Sequence, residues 1–244
     1  MRLVLLHARA STLELLRYPT FSVPTLAFPA LFFLLFVAPR SDPDVDPTLL
    51  LASFTGFAVL GVSFFQFGVG IAAERESAWE QFVRTLPIRV RARFAARVLS
   101  AALFGVASAA FVVAAALATT DARLTPPRWF ALVAALVVGA LPFALLGIAL
   151  GYWASPRGAL PIANVLYLVL AFLGALWTTP RHLPASVARI SPLVPTRQFG
   201  NLLWGATSGH LWRPRDLILL LAWGAVFGGL GAWGYRRDEG RRYR

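Results

Sequence analysis

Six long apolar runs govern what this 244-residue chain can become. A bilayer core about 30 Å thick is crossed by roughly 20 apolar residues of helix. Runs of that kind occupy residues 20–38, 49–73, 98–118, 129–153, 159–179 and 216–235. Inside them the strongly polar side chains are Gln66, Asn164 and the boundary residue Asp216. Charged residues make up 14% of the chain, against about 25% in an average soluble domain. That leaves too little polar surface for a bundle in water. Helices satisfy their own backbone hydrogen bonds in lipid, so the expected fold class is an all-α membrane protein with six transmembrane helices.

The segments between the runs set the direction. All 23 basic residues are arginine. With the N-terminus inside, fifteen of them fall on cytoplasmic segments and eight on outer ones. Positive charge is retained on the cytoplasmic side, so both termini are expected there. The net charge of +12 then reads as a topology signal, with the tail Arg236, Arg237, Arg241, Arg242 and Arg244 resting on anionic lipid. Nucleic acid is a poor partner for it. The first run is longer than a signal-peptide core and is followed by Pro39, so it reads as a retained span. Residues 1–19 mix leucine with arginine without a clean apolar face, which suits an interfacial helix whose arginines snorkel.

What is missing narrows the chemistry. The chain has no lysine and no cysteine, and its three histidines (His7, His182, His210) are far apart. A P-loop lysine, a thiol nucleophile and a cysteine-based metal site are thereby excluded. No cofactor or metal is expected on this chain. Ion-coupled carriers place ionisable groups in mid-membrane, and no run has one at its centre. Uphill transport would need energy from another polypeptide. An intramembrane serine protease would need a histidine facing Ser63 or Ser108, and no run contains one. The chain is not expected to be an enzyme.

Between the second and third runs, residues 74–97 form a cytoplasmic loop with a pattern of its own. Trp79, Phe82, Val83 and Leu86 share one helical stripe, Ser77 and Glu80 fit a capping box, and Pro87 stops the helix. So short a helix is marginal in isolation and must dock. The bilayer surface is one acceptor. A protein groove suits the acidic Glu74, Glu76 and Glu80 better than an anionic leaflet does. Elsewhere, Gln66 and Asn164 read either as interhelical glue or as lining of a path. Small residues at i+4 spacing mark the third run (Ala101, Gly105, Ala109) and the sixth (Gly224, Gly228, Ala232). Residues 180–215 mix Leu202, Leu203 and Trp204 with Pro, Gly and Arg, as an interfacial cap or an outer gate would.

These features together resemble the ABC-2 type transporter permeases. The family has a Glu-Arg-Glu-x-Gly-like start after its second span. Here it reads Glu74-Arg75-Glu76-Ser77-Ala78-Trp79-Glu80, then Leu86-Pro87, with Ser77 where glycine is common. The six-run layout and Ile190-Ser191-Pro192-Leu193-Val194-Pro195 followed by Leu202-Leu203-Trp204-Gly205 extend the likeness over the whole chain. The resemblance implies one transmembrane domain whose loop 74–97 couples to a separate ATP-binding cassette ATPase through Glu74, Arg75, Glu76, Ser77, Trp79, Glu80, Phe82 and Pro87. ATP and Mg would sit on that partner. A second permease copy, identical or related, would complete the transporter. It further implies residues 1–19 as the elbow helix and 180–215 as an extracytoplasmic re-entrant segment; on the residues alone, Pro192, Pro195 and Trp204 are the candidates for an outer gate rather than a cap, and Gln66 and Asn164 for a possible path rather than interhelical glue. The expected function is export of a hydrophobic or amphipathic substrate (drug, antibiotic or lipid) across the inner (plasma) membrane. An energy-independent channel or scaffold is the alternative.

Overall fold

The computed structural model describes residues 9, 12–13, 16–17, 19–38, 46–75, 77 and 90–242. Among these residues the regular structure is helical, without strands. Helix α1 spans Pro19–Phe36 and α2 spans Pro47–Val62. From there the chain continues as a π-helical turn, Ser63–Val69, into α3, Gly70–Arg75. Then come α4 (Val90–Thr119), α5 (Pro126–Trp153), α6 (Pro156–Leu173), the short α7 (Ala185–Ile190), α8 (Pro195–Ser208) and α9 (Pro214–Arg242). Among the described residues, five stretches are long and apolar enough to cross a membrane: Pro47–Arg75, Ala95–Thr119, Pro126–Trp153, Pro156–Leu173 and Pro214–Asp238. In α1 the apolar stretch is shorter, Thr25–Phe36.

The helix starts follow local chemistry. Asp46 caps α2, its Oδ1 accepting from the Thr48 backbone N–H at 2.8 Å and from Thr48 Oγ1 at 2.7 Å. Ser155 caps α6 by accepting from the Gly158 N–H at 3.2 Å. Proline stands at the first positions of α2, α5, α6 and α8, where its missing N–H costs nothing.

The α2–π–α3 rod is the centre of the bundle. Phe54, Phe57 and Phe64 are fully buried, and Phe57 stacks on Tyr167 of α6 at 4.4 Å. The Tyr167 hydroxyl donates to the Phe57 carbonyl at 3.2 Å. Outside the rod, α4 holds α1 through Ser108 Oγ, which donates to the Thr25 carbonyl at 3.1 Å. On the other side α9 lies along α5, where Trp153 Nε1 donates to the Leu230 carbonyl at 3.0 Å. The outward faces stay apolar, as Val106 (70% exposed) and Phe130 (77%) illustrate.

Where α5 meets the π turn, backbones approach closely. A Cβ on Gly147 would come within 2.4 Å of the Ser63 carbonyl, and one on Gly151 within 2.7 Å of Ile71 Cβ. Gly56 and Gly139 make the same room for α8: a Cβ on Gly139 would meet the Phe199 ring at 2.1 Å. Thus α8 buries Phe199, Leu202, Leu203 and Ala206 against α2 and α5.

Helix limits differ from the hydropathy in three places. Helix α6, from the fifth run, stops at Leu173, where Gly174 and Ala175 (φ 60°) turn the chain. Thr196 packs against Gly174 and donates to the Leu170 carbonyl at 2.6 Å, so a contact from α8 ends a helix that the apolar run would have carried to 179. Helix α4, from the third run, begins earlier, at Val90, and α9 runs on to Arg242.

Candidate functional site

The loop predicted to couple this chain to a partner begins where α3 ends. Two adjacent residues, Glu74 and Arg75, point in different directions there. Glu74 forms an ion pair with Arg97 of α4, so the two stems of the loop are tied to each other. Arg75 turns inward instead, with 11% of its side chain exposed. Its Nη1 donates to the Tyr152 carbonyl at 2.8 Å and to Asp238 Oδ1 at 3.2 Å, and its Nη2 donates to the Ala154 carbonyl at 2.9 Å.

Those acceptors have a physical logic. The last carbonyls of a helix lack intrahelical donors, and the C-terminal end of the helix dipole attracts a cation. Arg75 therefore completes the end of α5 while bonding to Asp238 on α9. One guanidinium joins α3, α5 and α9 at the end of α3. Around it, Arg237 lies over the Trp153 ring at 5.1 Å, and Tyr152 meets Tyr235 edge-on at 5.4 Å.

Ser77 Oγ donates back to the Glu74 carbonyl at 2.8 Å, and the Ser77 N–H reaches the same oxygen at 2.9 Å. The described contacts of Ser77 thus close the end of α3. Glu76, Trp79, Glu80, Phe82 and Pro87 lie outside the described residues, as does most of the 1–19 segment. From the latter, Thr12 Oγ1 donates to Ser100 Oγ at 3.1 Å.

Gln66 and Asn164 are not brought together. Gln66 sits in the π turn, 5% exposed, and its Nε2 has no hydrogen-bond partner. Asn164 lies halfway along α6 on its exposed face. Pro192, Pro195 and Trp204 each have a separate place. Pro192 belongs to the 3-10 turn Ser191–Leu193, and its carbonyl accepts from Gln198 Nε2 at 2.6 Å. Pro195 opens α8. Trp204, two turns along, donates from Nε1 to Ser53 Oγ of α2 at 2.7 Å.

At this end burial lowers the Arg197 guanidinium from its ordinary value, and nearby Asp216 acts in the opposite sense. Asp216 and Asp238 lie on α9, so at roughly 1.5 Å per residue they are separated by about 33 Å. That is about one bilayer core.

A family model described as ABC-2 family transporter protein matches residues 41–233. The chain belongs to the ABC-2 transporter family. It is similar to YvfS of Bacillus subtilis (strain 168), named as a transport permease, with 27% identity over 230 residues covering 93% of this chain and 94% of YvfS.

Two sets of residues in this ABC-2 permease escaped the sequence reading. The Gly147-x-x-x-Gly151 spacing on α5 carried the signal already noted on the third and sixth runs, yet here the approach is far tighter. Gly224 and Gly228 make ordinary contacts with Pro142 and Leu145 of α5, within one chain. Tyr152, Ala154 and Asp238 offered no signal, because two of them act through their carbonyls.

Proposed function

We propose that this ABC-2 permease is the membrane subunit of an ATP-driven exporter. A separate ATP-binding cassette ATPase docks on loop 74–97, and a second permease copy completes the path. The observation that carries this reading is the anchoring of the loop. Glu74 and Arg97 bind its two stems to each other, and Arg75 binds the first stem to the ends of α5 and α9. A push on the loop then moves several helices as one body. A loop that only floated on lipid would have no use for such a base.

The arginine distribution supports a cytoplasmic location for this end, and for both termini, in a six-span plasma-membrane (inner-membrane) topology. Asn164 supports a second copy. An amide facing acyl chains is costly, so the exposed face of α6 meets protein or a polar path. The substrate class, hydrophobic or amphipathic, rests on the aromatic interior and the short outer loop 39–48. Drugs, antibiotics and lipids all fit it.

The test uses membrane vesicles holding the permease with its ATPase. ATP-driven movement of an amphipathic fluorescent dye is expected, and Glu76→Ala with Trp79→Ala should abolish it while the amount of inserted protein stays unchanged. Equal dye movement without the ATPase would return the chain to the channel class.

A further inference from the structure

At the end of the bundle opposite Arg75 lies a cavity of about 320 Å³. Its walls include Arg197, Asn201 and Trp204 along one face of α8, His210 and Arg213 on the α8–α9 connection, and Asp216 of α9. The other face of α8 is buried in the bundle, so this wall is held rigidly. Gly209, left-handed at φ 77°, ends α8 and turns the chain over the cavity, as a glycine at that position does without strain.

Most polar groups here already have a task. Asn201 Oδ1 accepts from Arg197 Nε at 3.2 Å, and Asn201 Nδ2 donates to Asp216 Oδ1 at 3.1 Å. Asp216 is 9% exposed and stands in the first turn of α9, where a carboxylate is stabilised by the helix dipole. Trp204 spends its N–H on Ser53 and offers its ring to Arg197, whose guanidinium lies 5.2 Å from the ring centroid.

Besides the Ser208 hydroxyl and the His210 imidazole, what remains is two guanidinium groups. Among the described residues, the Nη atoms of Arg197 and the whole Arg213 head make no hydrogen bond or ion pair. They are donors only, in the planar fork that matches phosphate oxygens. Two cations share one carboxylate, Asp216, which acts on Arg197 and whose Oδ1 already accepts from Asn201. Arg128 adds a third positive charge nearby, its Nη2 lying 3.3 Å from where a Gly209 Cβ would stand. At the rim Leu211 is 96% exposed, an apolar contact beside a charged pocket. The separation of about one bilayer core between Asp216 and Asp238 puts the cavity at the level of lipid headgroups.

We propose that this cavity binds a phosphate-bearing anion at the membrane surface, held between Arg197 and Arg213. The same chemistry is presented by an anionic phospholipid headgroup and by free phosphate. This site is independent of where the ATPase docks.

The full-length permease, purified in a neutral maltoside detergent at low salt, would be titrated with dihexanoyl phosphatidylglycerol while its thermal unfolding is followed. A saturable rise in Tm is expected. In Arg213→Gln the apparent affinity should fall about tenfold, the loss of a charge-assisted contact. Arg197→Gln should fall at least as far. Arg157→Gln, at the other end of the bundle, should behave as the parent does. Competition by inorganic phosphate identifies a site for phosphate itself. Failure to compete identifies a site for the whole headgroup. Should Arg197→Gln fold poorly, the exposed Arg213 decides the matter. The proposal is overturned if phosphatidylglycerol gives no rise, or the same rise in Arg213→Gln as in the parent.

Discussion

Replacing Arg75 by alanine separates two roles that a loop arginine can have. If its work is to join α3, α5 and α9, the cost falls on the isolated subunit. Two hydrogen bonds to the Tyr152 and Ala154 carbonyls, at 2.8 and 2.9 Å, and one to Asp238 at 3.2 Å would be lost. A hydrogen bond involving a charged group contributes about 1.5–3 kcal/mol. Water at the membrane surface can replace part of that for carbonyls near a helix end, so the summed loss should be about 2–4 kcal/mol. On the scale of domains this size, that lowers Tm by roughly 5–10 °C. Arg75→Lys keeps the charge without the fork and should lose about half as much, while Asp238→Asn should cost about 1 kcal/mol or less. The assay is thermal unfolding of the subunit in detergent, without any partner, by tryptophan fluorescence. An Arg75→Ala subunit melting within a degree of the parent would refute the clamp and make Arg75 a contact residue.

Other perturbations follow from the packing. Gly147→Ala drives a methyl group to 2.4 Å from the Ser63 carbonyl and should cost about 1–3 kcal/mol; Gly229→Ala, with open space around it, should leave Tm unchanged or raise it slightly. Trp204→Phe removes the donor to Ser53, which is 1% exposed, for a loss of about 1–2 kcal/mol in the same melting assay. Gln66→Leu discards a buried amide whose Nε2 has no partner, so stability should rise by about 1 kcal/mol. If Gln66 serves the path, dye transport falls in the same variant; if it is interhelical glue, Tm falls instead.

The helical, membrane-spanning character was legible because it depends on one local property, the length of apolar runs. Helix ends were legible where chemistry is local, as at Asp46 and Ser155. They were hidden where another part of the chain decides. The sequence Gly174-Ala-Leu-Trp remains apolar, and only Thr196, arriving from α8, reveals why the helix stops before it. The π turn at 63–69 was invisible for the same reason: it is fitted against Gly147 and Gly151, and hydropathy does not report on fit. At the candidate site, residues 74 and 75 were singled out by their motif, but their opposite orientations were not. That distinction depends on the ends of α5 and α9 meeting at Arg75. The outer arginines were counted for topology, and their gathering around one cavity needed the fold of α8.

Coupling to a separate ATPase is tested most directly by recovery of the energy-supplying partner. The full chain would be affinity-purified from its native membranes and the proteins bound to it identified by mass spectrometry. An ATP-binding cassette ATPase carrying its own P-loop lysine is expected, in amounts comparable to the permease, lost from Glu76→Ala with Trp79→Ala and retained in Arg213→Gln. Recovery of no such ATPase, or of the same amount with the loop variant, would contradict that coupling.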